Sequence, residues 1–342
     1  MNIEKIAELA GVSRAAVSRY FNNGYISEEK REAIRKVVEE TGYRPSVQAQ
    51  TLRTKKTKMI GVIAPKIASA SIGRIVEGIL SVINENGYQM LLAVTQNNPK
   101  KELEYLSAFS EKQVDGVILL GTVFQAEHKR ILKNLSVPVV IVGQQLAGYN
   151  CVFHDDYHAF YDLTRLVLDK GRSRLGYIGA MQQDIAVGEE RYKAFQDAVH
   201  DTGHGGLAEN YVIASFSVSS GYEKARELLE KCKNLDALIC ATDTIATGAV
   251  QYLREQGIHV PEEILVAGQG DSAMARVAIP SLITVHYSYE NSGELAVHML
   301  MEALAEREAK TASKEMKTAS KEMKTTSKEM KTTSKEMKLG YY

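Results

Sequence analysis

Segment 13–22 carries the most distinctive chemistry of this chain, because two arginines lie five residues apart in it. On a helix, Arg14 and Arg19 would share an outward face with two small residues, Ala15 and Ser18. Such a face is slim enough to enter the major groove of DNA, where a guanidinium can bridge O6 and N7 of guanine. The segment therefore predicts a DNA-binding helix. An ordinary helical hairpin with surface arginines is the alternative.

Three short helices in residues 1–45 are predicted to hold that face in place. Asn2 is a candidate N-cap for the first helix, and Gly11 gives a tight turn before Ser13, the N-cap of the second. A third helix is expected from Ser27 to Thr41, with Ser27 as its cap and Gly42 ending it. The apolar residues expected to pack between the helices are Ile3, Ile6, Ala7, Ala10, Ala16, Val17, Phe21, Ile34, Val37 and Val38.

Basic charge is concentrated at the N-terminal end of the chain. Residues 1–58 hold 12 Lys or Arg against 7 Glu and no Asp, whereas the whole chain is balanced at 42 of each sign. A basic head on an acidic body is typical of a protein that binds a polyanion.

Other features of the composition exclude several classes of protein. Cys151, Cys232 and Cys240 lack the spacing of a metal site or of a disulfide framework. No cationic stretch is followed by an apolar run as in a secretion signal, and no apolar run approaches the ~18 residues that a membrane span requires. We therefore expect a soluble cytoplasmic protein with no metal and no cofactor.

Residues 46–58 read as a hinge between the head and the rest of the chain. They are polar and basic, with only Val47, Ala49 and Leu52 apolar. So little apolar surface cannot hold a helix in free solution. We expect a linker that is disordered alone and becomes helical on a partner.

From Met59 onwards, apolar strands alternate with amphipathic helices, which predicts an α/β body with parallel sheets covered on both faces. The expected strands are 59–64, 89–94, 116–120, 137–142, 175–179, 237–240 and 264–267. The expected helices are 71–86, 100–112, 157–170, 191–202, 221–231 and 244–256. We divide this body, 59–309, into two lobes, roughly 59–157 and 158–285. The chain returns to the first lobe through 284–289 and a helix over 292–308, and ligands bind in the cleft between the lobes.

Residues 310–338 are four near-identical heptads, followed by a short C-terminal end, 339–342. Their Ala, Thr and Met residues alternate in steps of four and three, as the seam of a coiled coil does. Because Ala and Thr are poor seam residues, a solvated helix or a flexible insert is the favoured interpretation, and a coiled-coil arm is the alternative.

Several motifs in order resemble the lactose-repressor/galactose-repressor (LacI/GalR) family over residues 2 to about 305. They are Ile-Ala-Glu-Leu-Ala-Gly-Val-Ser-x-x-x-Val-Ser-Arg from Ile6, Gly-Tyr-Arg-Pro from Gly42, Ala-Gln-x-Leu from Ala49 and Ile-Gly-Val-Ile from Ile60. Within the family, stretches such as His-Asp-Asp-Tyr at 154–157 look most like sucrose-operon repressors. The resemblance implies a helix-turn-helix head on a two-lobed periplasmic-binding-protein-like body.

The resemblance also implies which residues contact operator DNA. Arg14, Ala15 and Arg19 match the base-reading positions, and Leu52 matches an apolar wedge for the minor groove. The positions expected to contact phosphate, or otherwise DNA, are Ser13, Ser18, Asn22, Tyr43 and Gln50. Leu52 packing against its own lobe is the alternative.

For the effector, the resemblance points to eight residues in the cleft, which are Ser69, Ser71, Ile72, Gln144, Arg191, Phe216, Asp243 and Asp271. Arg191 would grip hydroxyl or carboxylate groups, and Phe216 would stack on the ligand ring. An ion-paired Arg191 and a helix-capping Asp243 remain alternatives. Ser69-Ala70-Ser71-Ile72 stands where the family has Asn-Pro-Phe-Phe, so one aromatic wall is absent and a larger saccharide has room.

The expected function is a transcriptional repressor of carbohydrate genes that binds a near-palindromic operator as a homodimer. A sugar or sugar phosphate would act as its effector, and no enzymatic activity is expected. A sugar-binding transport receptor and an α/β enzyme acting on sugars are the alternatives. His154 beside Asp155 is the one arrangement that suggests a base, and we interpret it as structural or as part of the cleft.

Overall fold

The computed structural model describes residues 1–22, 24–43, 51, 54, 56–204, 209–321 and 336–340. The chain divides into two units, Met1–Lys58 and Met59–Tyr342. Most of the predicted hinge, including Gln50 and Leu52, lies outside the described residues, and so do residues 322–335 of the heptads.

The first unit contains the three predicted helices, α1 (Ile3–Leu9), α2 (Arg14–Phe21) and α3 (Glu28–Thr41). Asn2 caps α1 by accepting from the backbone N–H of Lys5 (2.9 Å), and Ser13 caps α2 by accepting from that of Ala16 (3.2 Å). Ser27 precedes α3 in an extended conformation, but its side chain accepts no capping hydrogen bond, so that part of the prediction was wrong. The predicted inner residues form the core of the unit, together with Ile26, Val12, Tyr20 and Tyr43.

The second unit is built on two parallel sheets, which confirms the predicted α/β class. The strands of the first sheet are β1 (Met59–Ala64), β2 (Gln89–Val94), β3 (Gly116–Leu120), β4 (Val139–Val142), β5 (Asn150–His154) and β11 (Glu336–Leu339). Those of the second are β6 (Leu175–Gly179), β7 (Tyr211–Ile213), β8 (Ala237–Cys240), β9 (Leu265–Gln269) and β10 (Ile283–Val285). The first sheet has the order β11-β5-β4-β3-β1-β2 and the second has the order β10-β9-β8-β6-β7.

Helices cover both sheets, since the strands are apolar on both faces. In the first lobe they are α4 (Ala70–Glu85), α5 (Pro99–Ala108) with a π-helical turn (Phe109–Gln113), and α6 (Ala126–Lys133). In the second lobe they are α7 (Asp156–Asp169), a π-helical turn (Ile185–Glu190), α8 (Arg191–Asp201), α9 (Val218–Lys231), α10 (Asp243–Glu255) and α11 (Ala273–Val277). Each lobe has its own apolar core.

The chain returns to the first lobe through a long helix, α12 (Tyr289–Lys321), as predicted for residues 292–308. Its buried residues Val297 and Leu300 belong to the core under β1, β3 and β4. The helix continues through the first heptads, but residues 336–339 form β11, which pairs in parallel with β5. The last three residues of segment 310–338 therefore lie in a strand together with Leu339, and not in a solvated helix or flexible insert as predicted.

Glycines allow two pairs of helices to pack with their backbones in close approach. A Cβ at Gly78 of α4 would lie 2.0 Å from the carbonyl oxygen of Glu290, and one at Gly293 of α12 would lie 2.1 Å from that of Ile75. In the second lobe, Gly221 and Gly248 play the same part between α9 and α10. The returning helix α12 therefore packs on α4 through close backbone contacts. These contacts fix the position of the start of α12, the helix that follows the residues of the cleft.

Replacement of Gly78 by alanine is expected to lower the free energy of unfolding by at least about 1–3 kcal/mol, because the added methyl group must push α12 off α4. Gly73, on the same helix, has no atom within 4 Å of its virtual Cβ. Gly73→Ala is therefore the matched control and should raise stability by about 0.5–1 kcal/mol through helix propensity. Urea unfolding of the full chain measures both. Equal effects of the two substitutions would contradict the close packing.

Candidate functional site

A cavity of about 370 Å³ lies between the two lobes, where the carboxyl ends of both sheets meet. The first lobe contributes residues that follow β1, β3 and β4, and the second contributes residues that follow β6, β8 and β9. This is the position that open parallel sheets offer to ligands, since loops and helix N-termini converge there.

A buried ion pair forms the polar centre of this cavity. The Nε and Nη2 atoms of Arg191 donate to one carboxylate oxygen of Asp156 over 2.9 and 2.6 Å. A third nitrogen, Nη1, donates to the backbone carbonyl of Ala241, and Arg191 is only 4% exposed. The hydroxyl of Tyr287 donates to the same Asp156 oxygen over 3.2 Å. The ion pair thus ties α7, α8 and the segment after β8 into one rigid floor.

His154, at the end of β5, packs against two tyrosines beside this floor. Its ring centroid lies 4.5 Å from that of Tyr287 and 5.1 Å from that of Tyr289. Burial lowers the pKa of His154 to about 4, and the Asp156 carboxylate opposes this shift only in part. The ring is therefore neutral near pH 7, and it lines the cavity as the cleft interpretation expected.

Asp184 contributes a second carboxylate with an altered proton affinity. It accepts from the backbone N–H of Val187 over 3.1 Å and so caps the π-helical turn that leads into α8. Burial raises the pKa of Asp184 to about 6, against the opposing effect of that hydrogen bond and of Arg191. The pKa values of His154 and Asp184 are shifted in opposite directions by one cause, the loss of water around each group.

Asp243 lines the cavity, but its two oxygens are already engaged. One accepts from the backbone N–H of Ser272 (2.7 Å) and the other from the hydroxyl of Thr284 (2.6 Å). The N-cap of α10 is Thr242, which accepts from the backbone N–H of Ile245. Asp243 therefore joins α10 to the segments after β9 and along β10, a structural role that differs from helix capping.

Two contacts cross the mouth of the cavity from one lobe to the other. Arg74, on α4, donates to the backbone carbonyl of Gly270 after β9, and its guanidinium lies 4.8 Å from the ring centroid of Tyr289. Lys66, after β1, places its ammonium 5.9 Å from the ring centroid of Phe216 in the second lobe. Both cations thereby help to set the angle between the lobes.

The structure brings six of the eight predicted effector residues to this cavity, namely Ser69, Ser71, Ile72, Arg191, Phe216 and Asp243. Gln144 is buried outside the lining, where its Nε2 donates to the backbone carbonyl of Gly121 (3.0 Å). Asp271 also lies outside it, paired with Arg276 (2.5 Å) and His286 (2.7 Å), and hydrogen bonds from these two hold the pKa of Asp271 well below its usual range. Gln144 and Asp271 therefore do not line the cavity, although the resemblance to the family predicted that they would.

Sequence reasoning missed Asp156, Tyr287, Gln269 and Arg74 as cavity residues. For Asp156 a signal was present, because two consecutive aspartates precede a predicted helix. Asp155 caps α7 by accepting from the backbone N–H of His158 (3.3 Å), which leaves the second carboxylate to point elsewhere. For the other three no local pattern exists, since their partners lie far away along the chain.

In the N-terminal unit, α2 exposes Arg14, Ala15 and Arg19 and buries Ala16 and Val17, as predicted. Arg14 forms an ion pair with Glu4 (2.7 Å), and both side chains are more than half exposed. Such exposed pairs are weak, so Arg14 can leave Glu4 for a polyanion.

The other predicted DNA contacts of this unit also have local roles. Ser13 is the N-cap of α2, and the amide of Asn22 donates to the backbone carbonyl of Ser18. The ring of Tyr43 packs edge-on against Phe21 with centroids 5.7 Å apart. Each of these contacts lies at an end of α2.

A further cavity, of about 440 Å³, lies in the first lobe between the end of α6, the start of β4 and the middle of α12. None of the residues predicted to contact DNA or the effector lines this cavity. None of Cys151, Cys232 and Cys240 forms a disulfide bond within the described residues. Within the part of the chain that the structure describes, no group of three His, Cys, Asp or Glu side chains is placed to hold a metal ion. Among the same residues, no helix has both the length and the apolar character of a membrane span.

Known proteins resemble both units of the chain. Residues 2–46 match the family described as bacterial regulatory proteins, lacI family, and residues 164–326 match a periplasmic binding protein-like domain. The sucrose operon repressor of Staphylococcus xylosus is 31% identical over 303 residues, which cover 89% of this chain and 93% of that protein.

Solved structures share the fold over most of the chain. The lac repressor dimer bound to operator and the anti-inducer ONPF superposes with a TM-score of 0.81 at 19% identity, covering 89% of this chain and 93% of that one. The complex of the transcriptional regulator CelR with cellobiose gives a TM-score of 0.70 at 24% identity, covering 100% and 98%. At these identities the likeness concerns the fold alone.

Proposed function

Because this chain belongs to the LacI family of bacterial regulatory proteins, we propose that it represses carbohydrate-metabolism genes in the cytoplasm and responds to a sugar held between its lobes. The observation that carries the proposal is the combination of two sites in one chain. Exposed Arg14 and Arg19 on α2 supply a DNA-reading face, and an arginine–carboxylate floor lies in a cavity between two lobes.

Operator recognition would require two heads. One bidentate arginine–guanine contact contributes about 1–3 kcal/mol, which is too little for tight binding by a single head. Two heads on a near-palindromic site double the number of contacts, so the chain would act as a homodimer. The hinge residues Gln50 and Leu52 would complete the contact by folding on the DNA.

The cavity would carry the regulatory signal. A sugar bound between the lobes changes the angle at which they meet, and the contacts of Arg74 and Lys66 across the mouth depend on that angle. A coupling of about 1–3 kcal/mol between the two sites would change operator affinity about 5- to 150-fold. The sugar named for a relative, sucrose, is a first candidate for this chain.

The two alternative functions gain no support. A sugar-binding transport receptor would share the two-lobed body, but residues 2–46 match DNA-binding regulators. The arrangement that suggested an enzyme was His154 beside Asp155, and burial lowers the pKa of His154 to about 4, which makes its ring a weak general base.

Selection of bound fragments from a random double-stranded DNA library by the full-length protein tests the proposal. We expect a near-palindromic sequence to be enriched and its affinity to change 5- to 150-fold on addition of one sugar, as estimated from a coupling of about 1–3 kcal/mol. The fragment with scrambled half-sites is the control. Failure to enrich any DNA sequence would overturn the proposed regulatory function. An operator affinity that no sugar changes would overturn the proposed effector site.

A further inference from the structure

Two residues that line this cavity each hold a buried acceptor atom without a hydrogen-bond partner among the described residues. The atoms are Nε2 of His154 and Oε1 of Gln269, and the two residues are 8% and 3% exposed. Buried polar atoms without a partner are rare in folded proteins, because their lost hydration is not replaced. Two of them in one cavity indicate a ligand that donates hydrogen bonds.

The orientation of the Gln269 amide follows from its neighbours. The Tyr287 hydroxyl gives its only proton to Asp156, so it can accept a hydrogen bond from Gln269 but cannot donate one. The Nε2 atom of Gln269 supplies that hydrogen bond, and Oε1 is left on the other side of the amide. A flipped amide would place two acceptors against each other, so the free atom is the oxygen.

The proton on His154 is placed by the same reasoning. The ring is neutral near pH 7 and so carries one proton. A hydrogen bond with the backbone of Ser288 favours a proton on the ring, and Nε2 is the nitrogen without a partner. We therefore assign the proton to Nδ1, which leaves Nε2 with a lone pair for a ligand hydroxyl.

The charges around the cavity do not favour an anion. Its lining holds three carboxylates, Asp156, Asp184 and Asp243, and three cations, Arg191, Arg74 and Lys66. Arg191 pairs with Asp156, and Arg74 contacts the Gly270 carbonyl and the Tyr289 ring, whereas the Lys66 ammonium lies 5.9 Å from the centroid of the Phe216 ring. A phosphate group, which mainly accepts hydrogen bonds, would meet the two unpartnered acceptors.

We propose that His154 and Gln269 accept hydrogen bonds from two hydroxyl groups of an uncharged sugar, one acceptor from each lobe. The proposal rests on the proposed function and deepens it, because it selects a neutral sugar over a sugar phosphate. His154 ends β5 of the first sheet and Gln269 ends β9 of the second. A single ligand that satisfies both atoms therefore connects the two lobes.

Calorimetric titration of the full-length protein tests this selection. The probes are sucrose, trehalose, cellobiose, maltose, fructose and glucose, with glucose 6-phosphate and fructose 6-phosphate for the charged class. At least one neutral sugar is expected to bind, and neither phosphate should bind more tightly than its neutral parent.

Two variants test the residues themselves. His154→Phe keeps the ring packed on Tyr287, and Gln269→Met keeps the length of the side chain. Each should weaken the binding of the neutral sugar about 5- to 150-fold. Gln251→Met, on the exposed side of α10, is the matched control and should bind as the wild type does.

Monodeoxy analogues of the sugar found to bind distinguish direct contact with the ligand from a purely structural role of His154 and Gln269. One analogue should bind the wild type about 5- to 150-fold more weakly than the parent sugar, yet bind His154→Phe as tightly as the parent does. A second analogue should show the same pattern with Gln269→Met. A structural role would weaken the parent and every analogue alike.

Each outcome of these titrations either supports or overturns the proposal. The proposal would be overturned if the variants bound the parent sugar within twofold of the wild type, or if they lost affinity for all analogues equally. It would also be overturned if a sugar phosphate bound more tightly than its neutral parent, or if no neutral sugar bound. If the protein still enriches a palindromic DNA sequence that a phosphorylated sugar releases, only this inference fails and the proposed function stands. If no DNA sequence is enriched, the proposed function fails by itself.

Discussion

Replacement of Arg191 by alanine is expected to abolish sugar binding and to lower the free energy of unfolding by about 3–5 kcal/mol. The substitution leaves Asp156 buried without its cation, and the carboxylate keeps only the Tyr287 hydroxyl as a partner in this cluster. Burial of an uncompensated charge is the costly step, and it accounts for most of the expected destabilisation. Urea unfolding and calorimetric titration with sugars measure the two effects.

Arg276→Ala is the matched control for this prediction. Arg276 pairs with Asp271 at 2.5 Å, but its side chain is 64% exposed, so water replaces the lost partner. Its loss should leave both stability and sugar affinity nearly unchanged.

A second variant separates the two effects of Arg191. The double substitution Arg191→Met with Asp156→Leu removes both charges together, and it should recover most of the stability while sugar binding stays lost. Sugar binding retained in either Arg191 variant would clear the arginine of its role in the cavity. A single variant as stable as the wild type would show that Asp156 finds another partner.

Replacement of Arg19 by alanine is expected to weaken operator binding about 30- to 20,000-fold. Arg19 is exposed on α2, and each bidentate contact to a guanine contributes about 1–3 kcal/mol. A homodimer loses the contact twice, so the expected loss is about 2–6 kcal/mol, and each 1.4 kcal/mol is a factor of about ten in affinity. A mobility shift with the selected operator, at one fixed salt concentration, measures it.

Arg35→Ala is the control on the same unit. It also removes one positive charge, but Arg35 lies on α3 and is held by Glu32 (2.5 Å) and Glu39 (2.7 Å). Its effect on operator affinity should be small and should not depend on sequence. If Arg19→Ala lowered the affinities for operator and scrambled DNA equally, Arg19 would contact phosphate and not a base.

Local rules were sufficient for the N-terminal unit. Caps at Asn2 and Ser13, the turn at Gly11 and the end at Gly42 depend on residues one to four positions apart, and the structure shows each of them. Ser27 is the exception, because an N-cap position does not oblige the side chain to form the hydrogen bond. For the body, alternation of apolar strands and amphipathic helices predicted both sheets and the return of the chain to the first lobe.

Elements without a strong local pattern escaped prediction. The strands β7 and β10 have three residues each, which is too short for a period to be recognised. β5 begins with Asn150. The first three residues of β11, Glu-Met-Lys, recur in the earlier copies of the repeat, where Thr follows in place of Leu339. β11 pairs with β5, which lies about 185 positions earlier in the chain, and no local pattern records that pairing.

The sequence alone determined the fold class of the protein, the exposed arginine face of α2 and the position of the cleft, because these depend on periodicity, charge and turn residues that act over a few positions. Only the tertiary structure decided which polar groups meet in the cleft. Asp156 receives Arg191 from 35 positions away and Tyr287 from 131 positions away, whereas Gln144 and Asp271 find other partners outside the cavity. Burial and pairing of this kind arise when distant strands end at the same edge, so the unpartnered acceptors of His154 and Gln269 become visible only in the folded chain.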